Sequence, residues 1–185
     1  MAALSGDEHF SVGGTVRDFW AWALSDLRSN TARGWLAEFL VARAVGASGA
    51  RVEWDAYDVM APDGTTIEVK ASGYSQSWRR TGPPVIRFSG LPGRVGKTSW
   101  SAATATVGPA HVADVIVFAV HTTGQDEPYD GLDIDAWRFY VLPGLVVAGT
   151  AQASMTLSTV VRLGAASVAW DGLAEAITRA ARRQP

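Results

Sequence analysis

The sequence predicts an α/β fold in which a mixed central sheet is flanked by helices. Two stretches near the N-terminus place apolar residues at helical spacing, and the region after them reads as strand, tight turn and strand. A nearly continuous apolar run at 113–121 has the composition of a central strand that is covered on both faces. The 185 residues, of which 48% are hydrophobic and 18% charged, fit one domain over 1–185.

Three helices are predicted. The first spans 15–28, where Thr15 followed by Asp18 forms a capping start, and it is interpreted as an addition to the core. The second runs from about Thr31 to Val45 and ends at Gly46, a residue type that commonly terminates helices. The last begins near Asp171.

Strands are predicted at 51–60, 66–72, 83–89, 113–121 and 137–143, with another at 154–163. Pro62-Asp63-Gly64 is typical of a tight turn between the first two strands. Pairing of residue 62 with 66, or of 61 with 65, leaves a three-residue loop and brings Asp58 level with Lys70 or Glu68. Either register places the three side chains on one face of the sheet.

Two carboxylates and an amine at one place suit phosphodiester hydrolysis. Mg²⁺ binds carboxylates, carbonyls and waters, and it can activate a water and polarise a phosphodiester. Lys70 is one of only two lysines in a chain with fourteen arginines, which favours a specific role for its compact ammonium. The alternative is a surface Glu68–Lys70 ladder with an unrelated Asp58 on the next strand.

Glu38 interrupts an otherwise apolar helical run and has no charged neighbour three or four residues away. A carboxylate on a largely buried helix needs a partner from elsewhere in the chain, such as a metal site or a lysine. The alternative is a glutamate on a narrow exposed stripe of the helix.

The order of Glu38 on a helix, Asp58 on a strand and then Glu68-Val69-Lys70 resembles the PD-(D/E)xK nuclease superfamily. Longer runs, among them EWDAYDV, IEVKAS and ADVIVFAVH, resemble a group of uncharacterised bacterial proteins placed near that superfamily. The resemblance implies a restriction-endonuclease-like αβββαβ core. It implies Asp58, Glu68 and the Val69 carbonyl as metal ligands, and Lys70 as the residue that orients the attacking water.

The same resemblance makes Glu38 an auxiliary ligand or a hydrogen-bond acceptor, and Gln76 a weaker candidate just beyond the lysine strand. The chain departs from the pattern in two places. Tyr57 precedes Asp58 where many members have proline, and residues 97–110, where the fold usually has a helix, are rich in Thr, Ser and Gly.

Positive charge is concentrated in the middle of the chain, since no acidic residue occurs between Val69 and Asp114 although the net charge is −2. Such a stretch can hold phosphates on one face of an acidic protein. The alternative is a solvated loop with scattered arginines. Trp78 flanks the stretch and could stack on a base, with core packing as the alternative. The nucleic-acid-binding candidates are Arg79, Arg80, Arg94, Lys97 and Gln76.

The predicted function is a Mg²⁺-dependent DNA endonuclease or nickase, with Mn²⁺ able to substitute. The alternative is a catalytically silent nuclease-fold subunit that binds nucleic acid or a protein partner. The absence of cysteine excludes thiolate metal sites, and Gly93–Thr98 lacks the first glycine of a nucleotide-binding P-loop. The resemblance allows a homodimer, since many members act as dimers to cut two strands. A cytoplasmic protein is expected because neither a signal peptide nor a membrane span is evident in the sequence.

Overall fold

In the computed structural model the described residues are 3–51, 57–78, 81–82, 84–91, 98–101, 106–109 and 112–183, with 98–101 and 106–109 described by backbone only. The helices are α1 (Val16–Ala23), α2 (Asn30–Val45), α3 (Gly144–Gly149), α4 (Leu157–Arg162) and α5 (Leu173–Ala181). The strands are β1 (Val59–Met60), β2 (Thr66–Gly73), β3 (Arg87–Ser89), β4 (Thr98–Ser101), β5 (Thr106–Pro109), β6 (Val115–His121), β7 (Trp137–Pro143), β8 (Ser154–Thr156) and β9 (Ser167–Val168). Within these ranges no helix has the length and apolar character needed to cross a bilayer.

The central sheet has the strand order β1-β2-β6-β7-β9. β2 and β6 run parallel, whereas the other neighbouring strands are antiparallel. β6 occupies the middle of the sheet and is buried along its whole length, which matches its continuous apolar sequence. The prediction of a mixed central sheet flanked by helices is therefore confirmed.

Each face of the sheet has its own apolar core. On one face, α2 and α5 pack through residues such as Val41 and Ile177 against Ile67 and Val69 of β2 and alternate residues of β6 and β7. On the other face, residues of β3, β8, α3 and α4 pack against the remaining β6 residues, including Phe118. Because side chains alternate along a strand, β2 directs Glu68 and Lys70 towards this second face.

The hairpin between β1 and β2 has the register that pairs residue 61 with 65. Val59 pairs with Ile67, and the Ala61 amide donates to the Thr65 carbonyl at 2.9 Å. The turn is closed at Gly64, whose φ of 89° lies in the left-handed region that glycine adopts without strain. One of the two registers predicted from the sequence is thus confirmed for Val59 and Met60, and the Asp58 amide donates to the Ile67 carbonyl at 3.0 Å.

Two predicted elements differ from those observed. The first helix ends at Ala23, short of residue 28, since the Asp26 carboxylate accepts from the Arg28 amide at 2.9 Å and forms a local turn instead. The prediction of a strand over 154–163 is wrong beyond the first three residues of that segment. It comprises β8 and then α4, because the Thr156 side chain caps the helix by accepting from the Thr159 amide.

The connection between β3 and β6 contains strands where the resemblance implied a helix. β4 and β5 form an antiparallel pair, as suits a segment rich in β-branched threonine. Of the strand predicted at 83–89, only Arg87–Ser89 is observed as strand (β3), and it pairs with β8 outside the central sheet; residue 83 lies outside the described ranges. Of the strand predicted at 51–60, only Val59–Met60 is observed as strand (β1), and residues 52–56 lie outside the described ranges.

Candidate active site

Glu68 and Lys70 form an ion pair on β2. The Lys70 Nζ lies 2.5 Å from Glu68 Oε1, and the two side chains are 20% and 24% exposed. They are two residues apart on one strand and therefore share a face. The chain after β3 covers them, since a Cβ added at Gly90 would lie 3.6 Å from Lys70 Nζ. The ammonium is therefore held in a largely buried position, between Glu68 and the chain that follows β3.

Asp58 is hydrogen-bonded to the same strand at Val69, the residue between Glu68 and Lys70. Its Oδ2 accepts from the Val69 amide at 2.7 Å, and its own amide donates to the Ile67 carbonyl at 3.0 Å. The Val69 side chain is buried in the core, so only the main chain of Val69 belongs to the site. The hairpin thus brings the Asp58 carboxylate to the backbone segment that carries Glu68 and Lys70.

Glu38 comes to this site from α2. Its side chain is 13% exposed, and Oε2 accepts from Arg51 Nε at 2.5 Å. Burial raises the pKa of Glu38, Arg51 opposes that rise, and the negative charges of Asp58 and Glu68 add to it. The effect of Asp58 and Glu68 on the pKa of Glu38 is smaller than that of burial.

Arg51 is the partner of Glu38 that the sequence did not identify. The expected partner was a metal site or a lysine, whereas the structure supplies an arginine from the loop after α2. The guanidinium carbon also lies 5.6 Å from the centroid of the Trp35 ring, within the range of a cation–π contact. No helical spacing links residues 38 and 51, which explains why local sequence patterns missed the pair.

A groove of about 290 Å³ opens beside these residues. Glu38, Arg51, Tyr57 and Asp58 contribute to its wall, together with the aromatic ring of Trp35. The groove therefore gives solvent access to two of the three acidic side chains. Among the residues that the structure describes, no group of three or more His, Asp or Glu side chains is arranged to hold a metal ion.

Gln76 lies beyond the end of β2 and is 6% exposed. Its amide nitrogen donates to the Gly73 carbonyl at 3.0 Å, and its amide oxygen accepts from the guanidinium of Arg33 at 3.4 Å. These bonds hold the Gln76 side chain at the end of the strand. The other predicted nucleic-acid contacts, Arg79, Arg80, Arg94 and Lys97, lie outside the described residues.

A second groove, of about 570 Å³, has Lys70 in its wall. Arg87 and Trp78 also contribute to it, and Gln76 lies in its wall. Arg87 belongs to the acid-free stretch of the sequence but was not singled out as a site residue. We call this cavity the Trp78 groove.

The family model of bacteriophage T4 endonuclease IV matches residues 22–128. The match covers more than half of the 185 residues. The chain belongs to the bacteriophage T4 endonuclease IV family. No curated protein matches it.

The part of the chain matched to the endonuclease IV family contains the whole candidate site. It begins within α1 and extends past the end of β6, so it includes Glu38, Asp58, Glu68 and Lys70. Elements from β7 onwards lie outside it. The grouping of acidic residues around Lys70 therefore falls within the segment that relates this chain to an endonuclease.

Proposed function

We propose that this member of the endonuclease IV family is a divalent-metal-dependent DNA endonuclease whose active centre is Asp58, Glu68 and Lys70. The observation that carries the proposal is the arrangement on β2, where Lys70 contacts Glu68 while Asp58 binds the intervening backbone amide. The family match over the same residues supports it. We also propose that α2, β1, β2 and β6 represent the core of a PD-(D/E)xK nuclease.

The donor set suits Mg²⁺. Asp58, Glu68 and the Val69 carbonyl offer only oxygen, the ligand type that Mg²⁺ prefers, and Mn²⁺ accepts the same set. Mg²⁺ commonly uses one or two carboxylates together with waters and substrate phosphate. A site with two ligating carboxylates therefore does not need a third. When bound, the ion would offset charge on the phosphodiester and favour deprotonation of the attacking water.

The protein's own groups account for the rest of the chemistry. The Lys70 ammonium, held by Glu68, is positioned to stabilise negative charge on the phosphodiester as water attacks. Glu38 acts through Arg51, which it fixes at the edge of the same groove. We assign Glu38 the role of a hydrogen-bond acceptor that positions Arg51, one of the two roles that the superfamily resemblance allows.

The test is cleavage of supercoiled plasmid in Mg²⁺, in Mn²⁺ and in EDTA. We expect cleavage with either metal and none in EDTA, and a nicked or linear product distinguishes a nickase from a double-strand endonuclease. Asp58→Asn and Glu68→Gln should each lower the rate by about 100-fold or more, because each removes a charged group from the reacting site. Glu38→Gln should fold normally and lower the rate less.

The matched control is Glu175→Gln, a carboxylate that is 73% exposed on α5, and it should retain wild-type activity. An intact plasmid under every metal condition would support the catalytically silent alternative. Equal cleavage in EDTA and in Mg²⁺ would remove the metal from the mechanism. Wild-type activity in the Asp58→Asn protein would show that the site has been placed wrongly.

A further inference from the structure

The Trp78 groove has features that the proposed chemistry does not use. Trp78 is 50% exposed, although a large aromatic ring gains free energy from burial. It contributes to the wall of a cavity of about 570 Å³ that Lys70 also lines. An exposed ring beside a cavity that leads to the candidate catalytic lysine requires an explanation.

The charge of the groove is positive. Lys70 and Arg87 contribute to its wall, and none of its lining residues is acidic. The Arg87 side chain is exposed, and its guanidinium donates to the Ser154 hydroxyl at 3.2 Å, a bond that orients it without neutralising its charge. The charge of Lys70 is offset by Glu68, so the exposed guanidinium of Arg87, bonded to a neutral hydroxyl, supplies the positive charge that favours an anionic ligand.

The ligand that combines an anion with a flat aromatic group is a nucleotide. Stacking on a tryptophan tolerates any base, because every base has a π-face, and arginine suits the phosphate geometrically. Lys70 belongs both to the groove and to the ion pair with Glu68. A strand bound with one phosphate at Lys70 would therefore place a neighbouring nucleotide in the groove.

We propose that the Trp78 groove is a nucleotide subsite of the DNA substrate. Trp78 stacks on the base of a nucleotide adjacent to the reacting phosphate, and Arg87 contacts the next phosphate of the same strand. This inference rests on the proposed endonuclease function. It adds Trp78 and Arg87 to the proposed substrate contacts. It also requires a base whose flat face is free to stack on the tryptophan.

The experiment measures binding of a fluorescently labelled single-stranded 12-mer by anisotropy in EDTA, so that cleavage does not enter. A set of probes carries one abasic nucleotide at successive positions. Wild-type protein should bind one of these probes about tenfold more weakly than the intact strand, since stacking of one base contributes this much. Trp78→Ala should bind the intact strand about tenfold more weakly than wild type. In this variant the intact strand and the probe that is abasic at that position should bind equally well.

The controls separate stacking from folding. Trp78→Phe keeps an aromatic face and should recover most of the affinity. Trp22→Ala, which removes a ring that is 79% exposed on α1, should bind like wild type. Arg87→Ala should reduce the slope of log affinity against log salt by about one, since it removes one phosphate contact, whereas exposed Arg162→Ala on α4 should not.

The outcomes distinguish the subsite from the catalytic proposal. Unchanged affinity in Trp78→Ala, or an abasic penalty that persists in it, overturns the subsite even when plasmid cleavage is normal. The same holds when wild-type protein fails to bind the 12-mer. The expected abasic pattern in a protein that cleaves nothing with Mg²⁺ or Mn²⁺ supports the subsite and overturns the nuclease proposal alone.

Discussion

Arg33 is the residue whose replacement should most clearly report how the end of β2 is held. It is 1% exposed, and its guanidinium donates to the carbonyls of Arg28 and Ser75 at 2.8 and 2.5 Å and to Gln76 at 3.4 Å. The bonds connect α2 to the segment that forms one wall of the Trp78 groove. Arg33→Met keeps most of the side-chain volume and removes every one of these bonds.

The expected loss follows from opposing contributions. Two short hydrogen bonds from a charged group contribute about 3–6 kcal/mol, and the longer bond to Gln76 adds little. Against this, burial lowers the pKa of Arg33, which indicates that its charge is costly to bury, and Met recovers part of that cost. We expect Arg33→Met to lower the free energy of unfolding by about 2 kcal/mol. Arg33→Ala should lower it by about 4 kcal/mol, because it also leaves a cavity.

The assay is urea unfolding followed by both tryptophan fluorescence and circular dichroism, with coincident transitions required before free energies are compared. Arg43→Met is the matched control, since Arg43 lies on α2 but is exposed, and it should change stability by less than about 0.5 kcal/mol. A change of that small size in Arg33→Met would refute the reasoning, because the bonds drawn to Ser75 and Arg28 would then contribute nothing net.

Two further predictions concern pH and packing. Burial lowers the pKa of His121 below its ordinary value of 6.5, so the folded state binds the proton less readily than the unfolded chain. Stability should therefore fall as pH drops below about 6.5, and His121→Gln should flatten this slope in urea unfolding at a series of pH values, with exposed His9→Gln as the control. In Gly144→Ala the new Cβ would lie 1.8 Å from the Ala113 carbonyl oxygen, which should cost about 3 kcal/mol or prevent folding. Both glycine variants are compared by thermal unfolding, in which Gly149→Ala, whose Cβ meets nothing within 4 Å, should be neutral or slightly stabilising.

Local signals account for the parts of the fold that the sequence predicted. The second helix ends at Gly46 because that residue adopts a φ of 71°, as glycine does readily after a helix. The hairpin register follows from the Pro62–Gly64 turn, which fixes the residues on either side. The sequence did not predict α4, because its run of β-branched residues is typical of a strand. The helix start is marked only by the Thr156 side chain, which accepts from the Thr159 amide.

Long-range pairings account for what the sequence could not supply. β3 pairs with β8, and Arg87 of β3 bonds to Ser154, a residue 67 positions away. Arg51 reaches Glu38 across a helix end, so no periodicity in the sequence links the two. The Glu68–Lys70 contact, by contrast, follows directly from strand alternation, and the sequence predicted both residues as neighbours on one face.

The charges of the described site favour catalysis over simple binding. Among the described residues, Glu38, Asp58 and Glu68 supply three carboxylates, while Arg51 is ion-paired with Glu38 and Lys70 with Glu68. These five groups therefore carry a net formal charge of −1, and a phosphodiester brings another negative charge. At about 4 Å such a repulsion costs about 4 kcal/mol near a protein surface. In a protein that only binds DNA, these carboxylates would oppose the ligand. A divalent cation would reverse the sign of the site, so the acidic grouping that hinders a binder is the one that a metal-dependent nuclease requires.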